Sequence, residues 1–496
     1  MNYSKSLLTL MALAPATLVA ADFTGFINHG LVGVGRLSAN SLDQTGQDTL
    51  GGVFSSLVVE TGTIQESGGT FTGKLYGLPD RGFGDGAQDY HARIQTFDFS
   101  FTPASGAGPF PQTQINFSNT GTKILKDSQG NPFTGFNPDS TFTAFPKSAP
   151  GSLGGGKFSL DAEGLVKLPN GDWMISDEYG PNVYRFDSSG KLLATLPLPA
   201  SFVPEQPAGT VNFDANIANA SGRRGNRGME GLSVSPDGNT LFAMLQSPLM
   251  QDGGASNSSI YTRILQYDLT PGAATEGQLT GEFIYQLAVA NGRHTPQSEI
   301  LALNDHQLLV LERDNRGLGG SAGASAYKYV NVVELNGASN VLGLAYDLGV
   351  GDPGQVNLPI NGALPPGINA AEKLEFVNML NLTELTQFGL NADASRNSNS
   401  LAEKWEGLGL FPATDTPEAD DFYLFVGNDN DFTASTVIHN GQVVGTTTTQ
   451  VDMMLLAYRV SLPGASAQPV PEASSGLAIG VLALLAGSRW RQRHQS

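Results

Sequence analysis

Three stretches of the chain share one head: Ala162-Glu163-Gly164-Leu165, Met229-Glu230-Gly231-Leu232 and Trp405-Glu406-Gly407-Leu408. A looser version, Ser298-Glu299-Ile300-Leu301, falls between the last two. Each opens a short apolar run, so a chain with only 15% charged residues puts a carboxylate at the start of strand after strand. A second acidic series closes the following strand: Asp177-Glu178, Glu312-Arg313-Asp314 and Asn428-Asp429-Asn430-Asp431. An early unit without the glutamate head offers Asp80-Arg81-Gly82. Carboxylates brought to one place cannot all stay ionised unless something offsets them. A Ca²⁺ ion suits hard oxygen ligands in flexible geometry, and Glu163, Glu230, Glu299, Glu406, Asp80, Asp177, Glu178 and Glu312 are the candidate ligands. Arginine is the other possible counter-charge, since Arg223, Arg224 and Arg227 lie just before Glu230. Glu163, Glu230 and Glu406 are the candidate catalytic groups, as ligands or as bases that orient water. Arg81, Arg227 and Arg313 are the candidate clamps for an anionic substrate, because guanidinium matches phosphate and carboxylate geometry. The competing reading is structural, with each glutamate closing its strand through an ion pair or a backbone amide.

Other chemistries find little support. The chain has no cysteine, which excludes disulfides, thiolate metal sites and a cysteine nucleophile. There is no G-x-S-x-G elbow. The six histidines show no metal-ligand spacing, though His91 and His294 remain acid–base candidates. The Gly154-Gly155-Gly156 run lacks the context of a phosphate loop. A formal net charge of −19 argues against nucleic acid as a partner.

The elements that must position these residues read as strands. Sixty-one glycines and 28 prolines punctuate runs of period two or short apolar runs. The first three glutamate heads recur after 67 and 69 positions, and the last follows after 107. A recurring unit of about four strands is the signature of a β-propeller blade. The expectation is an all-β propeller of five or six four-stranded blades, with six favoured because the 107-residue interval leaves room for a degenerate blade or a long insertion. A two-sheet sandwich is the competing architecture. Each glutamate head should open the innermost strand of its blade, so the four glutamates should converge at one mouth of the channel. The N-terminal FTGFINHGLVGVG offers a strand to close the ring, and 370–386 is a candidate amphipathic helix.

The set DAEGLVKLPNGDWMISDEYGPNVYRFD, RGNRGMEGLSVSPDGNTLFAMLQSPL, LERDNRG and KWEGLG…FVGNDND resembles the phytase-like domain, the "esterase-like activity of phytase" family, from about Leu57 to Val460. The resemblance implies a secreted or periplasmic β-propeller that hydrolyses phosphate or carboxylic esters. It also implies Ca²⁺ in an acidic channel, with metal-activated water as the nucleophile. No lysine-rich phosphate grip lies near the motifs, which argues against phytate itself as substrate. The first expectation is therefore a Ca²⁺-dependent hydrolase of a small anionic or ester substrate. The alternative is a non-catalytic, Ca²⁺-stabilised propeller that binds extracellular polymer or a protein partner. A monomer is expected in either case.

The ends of the chain bear on location. Lys5, the apolar run from Leu7 to Leu18 and the small residues Val19-Ala20-Ala21 form a secretory signal pattern over 1–21. The propeller domain is expected over 22–462, and 463–473 form a linker and sorting motif. Residues 474–496 combine a short hydrophobic segment with a basic tail. Val470-Pro471-Glu472, the apolar run from Gly476 to Gly487 and the arginines at 489, 491 and 493 resemble a PEP-CTERM sorting signal. That resemblance implies export, transient membrane anchoring and cleavage by an exosortase, leaving the protein at the cell surface or outside the cell. A single-span transmembrane anchor is the alternative.

Overall fold

A computed structural model describes residues 21–207 and 209–466. The expected signal peptide up to residue 20, the expected sorting motif, the hydrophobic segment and the basic tail lie outside the described residues. Among the described residues no helix is long and apolar enough to cross a membrane.

Among the described residues five antiparallel four-stranded sheets form the propeller, and three two-stranded ribbons sit in its loops. The first blade is Ser56–Ser67, Thr70–Leu78, Arg93–Phe101 and Ile115–Ile124. The second is Ala162–Lys167, Trp173–Asp177, Val183–Phe186 and Leu192–Thr195. The third is Met229–Val234, Thr240–Leu245, Tyr261–Asp268 and Leu279–Gln286. The fourth is Gln297–Ala302, Gln307–Arg313, Lys328–Glu334 and Glu372–Asn378. The fifth takes Trp405–Pro412, Asp421–Asn428 and Met453–Ser461 from the C-terminal part of the chain. Its outer strand, Ile27–Leu37, comes from the N-terminal part. First strands touch in the order one-two-three-four-five-one, so the glutamate heads do open the innermost strands and the ring closes.

The favoured sixth blade is absent from the described residues. The 107-residue interval holds the outer strand of the fourth blade and irregular insertions on both sides of it. The segment 335–371 carries no strand, and its Gly- and Pro-rich composition does not supply another apolar hairpin. The candidate helix over 370–386 is likewise corrected. Glu372–Asn378 completes the fourth blade, and helix is confined to Leu382–Leu385, where the Asn381 side chain accepts from the Thr383 amide at 3.1 Å.

Packing between blades explains the Glu-Gly-Leu wording. A Cβ on Gly164 would overlap Leu232 of the next blade's inner strand, and one on Gly407 would lie 2.8 Å from the Leu57 Cβ. The glycine makes room and the neighbouring leucine fills it, which buries an inner-strand leucine at these two seams. Each such burial contributes about 1.5–3 kcal/mol. Between the first and fifth blades the seam is aromatic: Phe54, Phe97, Phe101, Phe411 and Phe425 are all fully buried.

Candidate functional site

The carboxylates reach the channel mouth because the inner strands are bulged there. Pairing between the first two strands skips Glu163-Gly164 in the second blade, Glu230 in the third and Glu406 in the fifth. A bulge adds an unpaired residue and re-aims its side chain. All three glutamates consequently line one cavity of about 400 Å³ at the mouth.

The fourth blade has the same bulge one residue earlier. Pairing is lost between Gln297 and Glu299, so Ser298 occupies the bulge and Glu299 falls where the other blades have glycine. Its side chain therefore enters the channel one layer below the mouth. One carboxylate oxygen accepts from the amides of Leu232 (3.2 Å) and Ile300 (2.9 Å), and the other accepts from the Ser56 hydroxyl of the first blade. Glu299 does not line the mouth cavity. It borders a narrower, mostly apolar space with Leu57, Leu232 and Leu408. The expected convergence of four glutamates thus holds for three.

Asp161, Glu163 and Glu178 form one close-set acidic group. One oxygen from each lies within 4.8 Å of the others. Ca²⁺ with ligands at roughly 2.3–2.6 Å requires ligand oxygens no more than about 5 Å apart, so this trio fits. Glu230 lies in the same cavity. One of its oxygens accepts from the Gln246 side-chain amide at 2.8 Å, while Oε2 is buried without a hydrogen-bond partner. Asp161 Oδ2 also lacks a hydrogen bond, although Arg81 Nη1 lies 3.4 Å away. Burial, followed by the charge of Glu230, pushes the Glu163 carboxyl well above its usual range. Burial and then Asp161 push Glu178 up to about 8. Burial, then Glu178 and Glu406, raise Glu230. Acids raised in this way need a cation to ionise together, and the orphaned oxygens are the donors that a divalent cation would satisfy.

A second group, Asp80, Asp429 and Asp431, is equally close-set. This one already holds a cation: Lys404 Nζ lies 2.6 Å from Asp431 and 3.5 Å from Asp429. Burial and Asp429 still raise Asp80, and burial takes Asp429 up to about 7. Arg313 is also engaged. It pairs with Glu406, and its Nε donates to Ser298 Oγ at 3.1 Å.

Of the proposed clamps, Arg81 is paired with Asp161 and Asp85, and Arg313 with Glu406. Among the described residues Arg227 has no carboxylate within ion-pair distance, and Nη1 donates to Ser247 Oγ at 3.2 Å. Asp177 and Glu312 do not line the cavity. Asp177 accepts from the amides of Asp161, Tyr179 and Gly180 and from the Tyr184 hydroxyl, so it holds the backbone that carries Asp161 and Glu178. Burial raises it to about 7. Glu312 accepts from the Tyr285 and Thr295 hydroxyls, the Ala288 amide, Asn331 and Lys373, and ties the third blade to the fourth. His91 lies outside the cavity, whereas His294 lines it.

Sequence reasoning passed over Asp161, Gln246 and Lys404. Asp161 carried a signal, since it stands two residues before Glu163 in the one head that reads Asp-Ala-Glu-Gly-Leu. Gln246 and Lys404 are ordinary strand-end polar residues whose roles exist only across strands.

A family model described as "Phytase-like: Esterase-like activity of phytase" matches residues 64–432, from the first strand of the first blade to just beyond the second strand of the fifth. The chain belongs to the phytase-like family. An "Uncharacterized secreted protein" of Arthroderma benhamiae is 31% identical to this phytase-like chain over 455 residues, 82% of this chain and 87% of that protein. Among solved structures, a PQQ-bound aldose sugar dehydrogenase from Streptomyces coelicolor is similar at 11% identity and a TM-score of 0.27, covering 87% of this chain and 99% of that one. A putative 6-phosphogluconolactonase from Bacteroides uniformis is similar at 11% identity and 0.27, covering 84% and 86%. At these scores neither likeness bears on the chemistry of this chain.

Proposed function

We propose that this phytase-like propeller is an exported, Ca²⁺-dependent ester hydrolase whose ion is held by Asp161, Glu163 and Glu178, with Glu230 beside them. The observation that carries the reading is the buried, unpartnered Glu230 Oε2 in the same cavity as a carboxylate trio spaced for one Ca²⁺. A bound Ca²⁺ would polarise an ester oxygen and lower the pKa of water. The protein's own groups do the rest. Gln246 fixes Glu230 through one oxygen and leaves the other as a further ligand for the ion. Asp177 keeps the trio's backbone in place, and Arg81 holds Asp161. Glu406 orients Arg313 on the cavity wall, and Glu299 seals the channel below.

Export fits the signal pattern at 1–21 and the secreted description of the fungal relative. The tail from 474 onward would hold the protein at the membrane until an exosortase releases it.

The test is hydrolysis of aryl phosphates and short-chain aryl esters by the purified protein, with Ca²⁺ and with chelator. Turnover on either substrate that chelator abolishes supports the reading. No turnover on either, together with a chelator-induced drop in melting temperature, would sink it in favour of a Ca²⁺-stabilised binding scaffold.

A further inference from the structure

The acidic trio occupies only part of the mouth cavity. Loops of the third and fourth blades line the rest and are rich in arginine: Arg227, Arg293 and Arg316 face the cavity. Behind them Arg224 donates to Asn257, which also lines it, at 3.3 Å. Among the described residues none of these four arginines is ion-paired. Their side-chain hydrogen bonds go to neutral partners: Ser247 Oγ for Arg227, Asn257 Oδ1 for Arg224 and the Ala324 carbonyl, 3.2 Å away, for Arg316. Shortage of acid does not explain this, since the chain has 46 Asp and Glu against 27 Lys and Arg.

Like charges gathered without counter-charge are destabilising unless a ligand offsets them. Burial, then Arg224, bring Arg227 down to about 10 although Glu178 and Glu230 pull the other way, and burial with Arg293 lowers Arg224. A second observation comes from His294 on the same wall. It is 7% exposed and its Nδ1 has no hydrogen-bond partner, while Nε2 lies 3.3 Å from Ser247 Oγ, the hydroxyl to which Arg227 donates. Burial and the neighbouring arginines bring this imidazole down to about 4, against the pull of the Asn257 and Ser259 backbone, so it is neutral at physiological pH.

We infer that Arg227, Arg293 and Arg316, with His294 and Asn257, form an oxyanion site that takes a phosphate or carboxylate group of the substrate, separate from the carboxylate trio. Guanidinium groups bind both kinds of oxyanion through paired N–H donors, and His294 lines the same wall. The cavity is then bipolar. The substrate class is an ester that carries an acidic group apart from the bond presented to the acidic trio. As a statement about substrate this rests on the hydrolase reading; as a statement about binding it does not.

The test is calorimetric titration of the metal-free protein, in chelator, with inorganic phosphate and separately with acetate. Chelator removes any bridging ion, so the result is independent of Ca²⁺ and of turnover. The expected result is one site for at least one of the two anions, weakened by added salt and by about tenfold or more in Arg227→Met. Because Arg227 is packed against Ser247, Arg293→Ser is the companion variant; Arg293 is exposed, so its loss should leave the melting temperature unchanged while weakening the anion. No binding of either anion, or binding that both variants leave intact, would overturn the site.

Discussion

The two acidic groups at the mouth are built from the same residue types and are offset differently. In the group of Asp80, Asp429 and Asp431, two carboxylates pair with the ammonium of Lys404, whereas among the described residues Asp161, Glu163 and Glu178, with Glu230 alongside, have only Arg81 within ion-pair distance. The first group carries its own cation on the chain. The second leaves buried oxygens without partners, and the proposed Ca²⁺ site rests on that feature. Proximity of carboxylates therefore does not define a metal site; the distribution of built-in counter-charge does.

The largest expected effect tests the second group. Glu163→Gln should weaken Ca²⁺ binding by more than about a hundredfold, beyond the roughly 10–100-fold typical of residues that only orient a ligand. Isothermal titration would check it, and an unchanged affinity would break the comparison. Lys404→Met attacks the first group. It should cost about 2–3 kcal/mol in chelator, less than for a fully buried pair because the lysine side chain is 26% exposed. The variant should also bind one more Ca²⁺ per chain than the parent. Equal stoichiometry in the two proteins would show that Lys404 does not stand in for an ion.

A smaller effect follows from pH. Glu178 and Asp429 are raised to about 8 and about 7 in the folded protein, so the fold favours their neutral forms. That stabilisation is complete below the ordinary carboxylate range and is lost as pH rises through 7 and 8. In chelator the melting temperature should fall between pH 5 and 8. Saturating Ca²⁺ should flatten or reverse the slope, and a slope indifferent to Ca²⁺ would count against the site. The smallest effect is expected for Glu299→Gln. Burial raises the Glu299 carboxyl well above its usual range, so the neutral amide resembles the native state. Stability should change by less than about 1 kcal/mol, with Ca²⁺ affinity untouched, whereas Glu230→Gln should lose activity.

Glu299 also marks how far the sequence could be read. Ser298-Glu299-Ile300-Leu301 was matched to the other heads by its glutamate, but strand pairing matches it by its leucine-like residue. Ile300 pairs as Leu232 and Leu408 do, which puts Glu299 in the glycine position. A slip of one residue along a strand changes the face a side chain addresses. No local pattern announces where a bulge falls. The same limit separates Asp177 from Glu178: the pair is adjacent in sequence, yet one turns into the loop's backbone and the other into the cavity.

By itself the sequence determined the repeating four-strand unit, the closing N-terminal strand, and the placing of carboxylates at inner-strand heads, because period-two patterning and Gly-Leu seams are local properties. Only the tertiary structure decided that there are five blades, that three of the four glutamates share the mouth, and which carboxylates already have a cation. Those outcomes depend on bulge register and on charges that meet across blades, as Lys404 meets Asp431 and Arg313 meets Glu406.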